Sequence, residues 1–198
     1  MKNSYSFVLG LTFLLAGCGS EDVPPAPSTA VPTGNVRILA GASVGSTLTA
    51  TSAKINVSQI KLLRADTGEE SILANDSDPL DLEHYCQGNI KSIAENQLPE
   101  GDYDEVVLVI SSASLDLDDK CHFDFDLTDK DDREVKVHLP HPIRIDRDHD
   151  NDIRLDIDLD KTFVDQGCSG GHHFTFNPVV TPVVPAPVTS PTPVAALP

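Results

Sequence analysis

The sequence predicts an all-β protein, a β-sandwich or a barrel. Three observations lead there. Apolar and polar residues alternate with period two in many short runs, and alternation marks a half-buried strand. Turn-forming residues separate those runs at short, regular spacing, and no long stretch has helical periodicity. Trp is absent and aromatic residues are few, so Val, Ile and Leu must fill the core. Sheets covered on one face, stacked as a sandwich or closed as a barrel, meet all three conditions.

The elements follow in order. Val36 to Ala42 is a short apolar strand. In Lys54 to Ala65, Ile55 and Val57 alternate, and Ile60 and Leu62 resume the alternation after a phase break at Ser58-Gln59. A one-residue break of phase predicts a bulge. Asp66-Thr67-Gly68 is turn chemistry, and Ser71 to Ala74 pairs back as a hairpin. Pro79 to Leu82 is a further short strand. Asn89 to Asn96 reads as one or two helical turns, stopped by Leu98-Pro99-Glu100-Gly101. Tyr103 to Leu117 is the strongest strand. Its Val106 to Ile110 segment is apolar on both faces, as in a central strand covered on each side. Alternation continues in Phe123-Phe125-Leu127, Val135-Val137-Leu139, Ile143-Ile145, Ile153 to Leu159 and Phe174-Phe176. From Pro178 the chain turns proline-rich. Its first residues close the last strand and the rest reads as an extended tail.

Composition narrows the function. The net charge of -17 repels nucleic acid and anionic headgroups and attracts cations. Nucleic-acid binding is thereby excluded. No G-x-S-x-G, H-E-x-x-H or nucleotide-binding loop occurs, so the expected role is non-enzymatic.

The start of the chain carries a targeting signal. Lys2 precedes an apolar run from Phe7 to Leu15, too short to span a bilayer. It ends in Leu15-Ala16-Gly17-Cys18, which resembles the lipobox of bacterial lipoproteins. By that resemblance residues 1–17 are a signal peptide and Cys18 is the acylated first residue of the mature protein. One acyl chain anchors only marginally, so firm attachment takes more than one. Gly19, rather than Asp, follows the cysteine, which points to the outer membrane. Residues 18–34 form a lipidated, proline-rich tether, residues 35–182 the sandwich, and residues 183–198 the proline-rich tail.

Two constellations are candidate metal sites. Asp146, Asp148, Asp150 and Asp152 alternate around a turn, and hard cations such as calcium are held by oxygen clusters of this kind. The spacing opens like an EF-hand but lacks its glycine and its final Glu, so a weaker calcium loop is the expectation. His84 with Cys86, Cys121 with His122, and Cys168 with His172 and His173 carry zinc or copper ligands, without paired C-x-x-C spacing. If Cys18 carries lipid, the other three cysteines allow one disulfide in three pairings. Cys86–Cys121 is the expected bridge, because each lies just beyond a strand end.

Two segments resemble a known family. One is Leu98-Pro99-Glu100-Gly101-Asp102-Tyr103 before the Val106–Ile110 strand. The other runs through His141 to Ile145, Leu155 to Phe163 and Phe176 to Val180. Together they resemble the bacterial lipoprotein domains of the domain-of-unknown-function family 4382. The resemblance implies a single antiparallel β-sandwich of the prealbumin or immunoglobulin-like kind behind a lipobox, and it brings no catalytic residues. The acidic Arg147-to-Asp152 segment and the cysteines depart from the family pattern. The function expected is a lipid-anchored binding or structural module facing an envelope protein or a glycan. The alternative is a metal-binding envelope lipoprotein.

Overall fold

The computed structural model describes residues 30–183, apart from residues 46, 47, 87, 119, 120, 126, 128–133 and 168–172. Residues 1–29, which include Cys18, and 184–198 also lie outside the described set. All of the elements belong to one compact unit, Val31–Pro198.

Twelve strands make up nearly all of the regular structure: β1 (Thr33–Ser43), β2 (Ala50–Arg64), β3 (Glu70–Asn75), β4 (Leu80–Asp81), β5 (Lys91–Pro99), β6 (Gly101–Leu117), β7 (His122–Phe125), β8 (Glu134–Ile145), β9 (Asp150–Asp158), β10 (Phe163–Asp165), β11 (Phe174–Phe176) and β12 (Val180–Val183). A 3-10 turn covers Glu83–Tyr85, and one short helix, α1 (Leu159–Thr162), follows β9. The strands form open sheets. A four-stranded sheet has the order β12-β9-β1-β5. A six-stranded sheet has the order β3-β2-β6-β7, with β4 added to β2 and β8 to β6. The hairpin β10-β11 stands as a third.

Residues of both larger sheets enter one continuous core. Ile38 from β1 and Leu155 from β9 are fully buried in it with Ile60, Leu62, Leu115 and Ile145 from the six-stranded sheet. Each such side chain contributes about 1.5–3 kcal/mol by leaving water. The five phenylalanines downstream of Phe13 pack ring on ring in two groups, Phe123 with Phe174 and Phe125 with Phe163 and Phe176. Phe125 meets Phe163 and Phe176 at centroid distances of 5.5 and 5.7 Å, and Phe123 meets Phe174 at 5.2 Å. Both groups join β7 to the β10-β11 hairpin.

The phase break in β2 is real. Pairing with β6 shifts between Asn56 and Val57 and again between Val57 and Gln59, after which Ile60 and Leu62 return to the core. Val107 of β6 is buried, as its apolar neighbours predict, yet it lies outside the continuous core. In register it stands between Lys61 and Lys136. Lysine stems can shield such a surface while their ammonium groups stay wet. Lys61 Nζ lies 3.0 Å from Glu70 and 3.4 Å from Glu134.

Three expectations need correction. Asn89 to Asn96 is no helix: Lys91–Pro99 is strand β5, paired with β1 from Thr33↔Pro99 to Ala40↔Lys91. Ala, Glu and Gln favour a helix weakly, and pairing that buries Ile93, Ala94 and Leu98 overrides that preference. The segments around Val137 and Ile143 belong to one strand, β8. Its register on β6 passes from Tyr103↔Ile143 to Glu105↔His138, so residues 139–142 (Leu-Pro-His-Pro) arch away. Pro140 and Pro142 have no N–H for a ladder, which places them at such a bulge. Finally, pairing is not antiparallel throughout. β1 and β9 run parallel from Asn35↔Asp150 to Ser43↔Asp158. A parallel neighbour needs a long crossover, and here the six-stranded sheet lies between them in sequence.

Candidate functional site

The outer face of the four-stranded sheet carries the acidic residues that the sequence singles out. The turn from β8 to β9 is tight, and Asp150 and Asp152 already belong to β9. Being two apart on a strand, they point to the same side. The parallel register sets them beside Asn35 and Arg37 of β1. Asn35 Nδ2 donates to Asp150 Oδ1 at 2.9 Å. Arg37 grips Asp152 with two bonds, Nε to Oδ1 at 2.9 Å and Nη2 to Oδ2 at 2.7 Å. Hydrogen bonding to that carboxylate raises the guanidinium's pKa further.

Asp146 faces another way. Its Oδ1 accepts from the backbone N–H of Asp148 at 3.0 Å and lies 2.8 Å from His149 Nδ1. The bond from His149 holds the Asp146 carboxyl below its ordinary range, and the carboxylate raises the imidazole pKa in return. Gly34 packs directly on this turn, since a Cβ there would stand 2.0 Å from the Asp146 carbonyl oxygen. Arg147 reaches Glu100 at 3.0 Å. Asp146, Asp150 and Asp152 therefore have separate partners. Among the described residues no group of three or more His, Cys, Asp or Glu side chains converges on a common point.

The cysteine pair separates. Cys86 is buried after the 3-10 turn, its thiol donating to the Leu82 carbonyl at 3.2 Å, and desolvation raises its pKa. Cys121 is exposed, just ahead of β7. The expected Cys86–Cys121 bridge is not formed, because the Cys86 thiol is turned into the core and remains free. Its neighbour His84 stacks edge-on against Tyr85. His122 lies between two carboxylates, with Nδ1 2.5 Å from Asp116 and Nε2 3.1 Å from Asp124. His173 is exposed ahead of β11. Cys18, Cys168 and His172 fall outside the described residues.

The sequence reading missed Arg154. It sits mid-way along β9, with Leu39 of β1 and Val183 of β12 as register neighbours. Arg37, Arg64, Arg144 and Arg147 each hold an acidic side chain. Arg154 holds none among the described residues, and its Nε is buried without a hydrogen-bond partner. Its flanking carboxylates are engaged elsewhere, Asp152 by Arg37 and Asp156 by the Ser43 hydroxyl at 2.7 Å. Two cavities meet at this residue. One, of about 370 Å³, has Gly41, Ser43, Asn89 and Asp156 around it. The other, of about 290 Å³, is mainly apolar, with Leu139, Pro140, Pro142, Ile143, Pro182 and Val183 as its walls. The signal in sequence was a lone cation in the run Leu155-Asp156-Ile157-Asp158 and its approach, legible only as strand alternation.

A protein of open sheets results, nearly all β, with an acidic outer face around Arg154, which has no acidic partner among the described residues. The family model described as domain of unknown function (DUF4382) matches residues 47–178, and the chain belongs to that family. No curated protein and no solved structure matches it.

Proposed function

We propose that this chain is a lipid-anchored β-sandwich lipoprotein of the bacterial cell envelope, held in the outer membrane and acting as a non-catalytic binding or structural module. The observation that carries this reading is the order of its parts. Leu15-Ala16-Gly17-Cys18 is followed by a stretch with prolines at 24, 25 and 27 and then by the unit Val31–Pro198. Acyl chains on Cys18 would supply the anchor. The tether would hold the domain clear of the headgroups, which repel so acidic a protein. A core fed by both larger sheets supports the sandwich arrangement. The partner fitting this reading is another envelope protein or a glycan.

Fractionation of cells producing the wild type and Cys18→Ser tests the anchor. The wild type is expected in the detergent-extractable outer-membrane fraction. The variant is expected as uncleaved precursor or soluble protein. A variant that fractionates as processed membrane protein overturns the reading.

A further inference from the structure

We propose that Arg154 and the two cavities that meet at it bind a small hydrophobic carboxylate, a monoanion with an aliphatic body. This gives the binding-module reading a ligand class and rests on it. Arginine presents a planar fork of N–H donors that matches a carboxylate. Four other arginines of the described chain spend that fork on Asp or Glu, whereas Arg154 keeps its own and leaves Nε buried and unpaired. A buried donor without a partner costs stability, so a ligand that satisfies it gains on binding.

The surroundings select the rest of the ligand. On one side lies a floor made by Gly41, where the Ser43 hydroxyl and the Asn89 amide are already bonded to Asp156 and to the His84 carbonyl, which leaves Arg154 as the donor for a carboxylate. A Cβ on Gly41 would come within 3.4 Å of the Asn89 carbonyl oxygen, so glycine keeps that floor low. On the other side the Pro140–Pro142 arch of β8 and the end of β12 form a mainly apolar wall, with His141 and Asp152 as its other polar members besides Arg154. Cavities of about 290 and 370 Å³ are in the range of small-ligand sites. Charge sets the limit. Asp152, Asp156 and a net charge of -17 disfavour polyanions, so a single carboxylate on an apolar body suits the site better than an acidic polymer.

Calorimetric titration of the purified full-length protein tests this with three probes. Octanoate has both the charge and the body, 1-octanol only the body, and acetate only the charge. Octanoate is expected to bind saturably with one-to-one stoichiometry, and both other probes at least about tenfold more weakly. Arg154→Gln and Arg154→Met are each expected to weaken octanoate by at least about tenfold. Methionine keeps an apolar stem beside Leu39 and Val183, so the two variants check each other for folding by circular dichroism. No saturable octanoate binding, octanol binding as tightly as octanoate, or folded variants that bind octanoate like the wild type each overturn the proposal. Cys18→Ser fractionation is read separately, so a failed titration leaves the anchor to be judged by its own test.

Discussion

The hydroxyl of Tyr103 donates to the backbone carbonyl of Pro99 at 3.0 Å, and the rest of that side chain is fully buried at the start of β6. The bond ties the end of β5 to the first residues of the central strand, across the step from one large sheet to the other. It gives the Leu98-Pro99-Glu100-Gly101-Asp102-Tyr103 segment a physical meaning. Leu98 anchors in the core, and Arg64 lies over the Tyr103 ring at 5.9 Å and donates to the Glu100 carbonyl at 3.2 Å. Gly101 leaves room for that guanidinium, which a Cβ would approach to 2.9 Å.

Tyr103→Phe is therefore expected to cost about 0.5–1.5 kcal/mol, the net worth of one hydrogen bond. Gly101→Ala is expected to destabilise the wild type but much less so an Arg64→Ala background. Urea denaturation of the four proteins of that Gly101–Arg64 cycle measures the coupling. Additive costs would show that the glycine is needed for another reason.

Gly34→Ala tests the contact that seats the acidic turn on β1. The added carbon would meet backbone at 2.0 Å, and backbone cannot swing aside as a side chain can. A loss of about 1–3 kcal/mol, typical of overpacking, is expected. A melting temperature equal to wild type would show that the turn is not held there.

His122 makes stability depend on pH. Its hydrogen bond to Asp116, with Asp124 on the other ring nitrogen, raises its pKa in the folded state above 6.5. Below 6.5 the imidazole is protonated folded or unfolded, and its stabilising contribution is fully present. As pH rises through the raised value, the folded protein too loses that proton, and the contribution is lost. The difference in melting temperature between wild type and His122→Gln should be largest at or below pH 6.5 and shrink above it. A difference that does not vary with pH would refute the linkage.

The acidic turn should respond to salt and not to calcium in particular. A site with a dissociation constant of about 0.1–1 mM would add roughly 1–2 kcal/mol at a few millimolar calcium. Asp146, Asp150 and Asp152 have separate partners, so calcium and sodium at matched ionic strength are expected to shift melting alike. A calcium-specific rise abolished by replacing Asp148 and Asp150 with Asn would contradict this.

Cys86 should resist alkylation in the native protein and react fully in denaturant. Its thiol is buried, bonded to Leu82 and shifted away from the reactive thiolate by desolvation. Peptide mapping without reduction should contain no Cys86–Cys121 crosslink.

Strand identity was written locally. The alternation of Ile55, Val57, Ile60 and Leu62 states which face is buried and where the bulge falls, because side-chain direction in a strand depends only on parity along the chain. The Leu98-to-Tyr103 segment and the later strand order likewise marked the family, and Leu15-Ala16-Gly17-Cys18 marked the expected anchor. Partnership was not written locally. Lys91 to Pro99 became a strand only because β1 offered an edge and the core offered a place for Ile93 and Leu98. Asp150 and Asp152 became partners of Asn35 and Arg37 only because β9 returns parallel to β1. Among the described residues Arg154 has no acidic partner for the same reason: its neighbours across the sheet are Leu39 and Val183, which have no charge to offer. Local alternation sets the face on which a side chain stands. The pairing of distant strands, driven by burial of their shared core, sets what stands beside it.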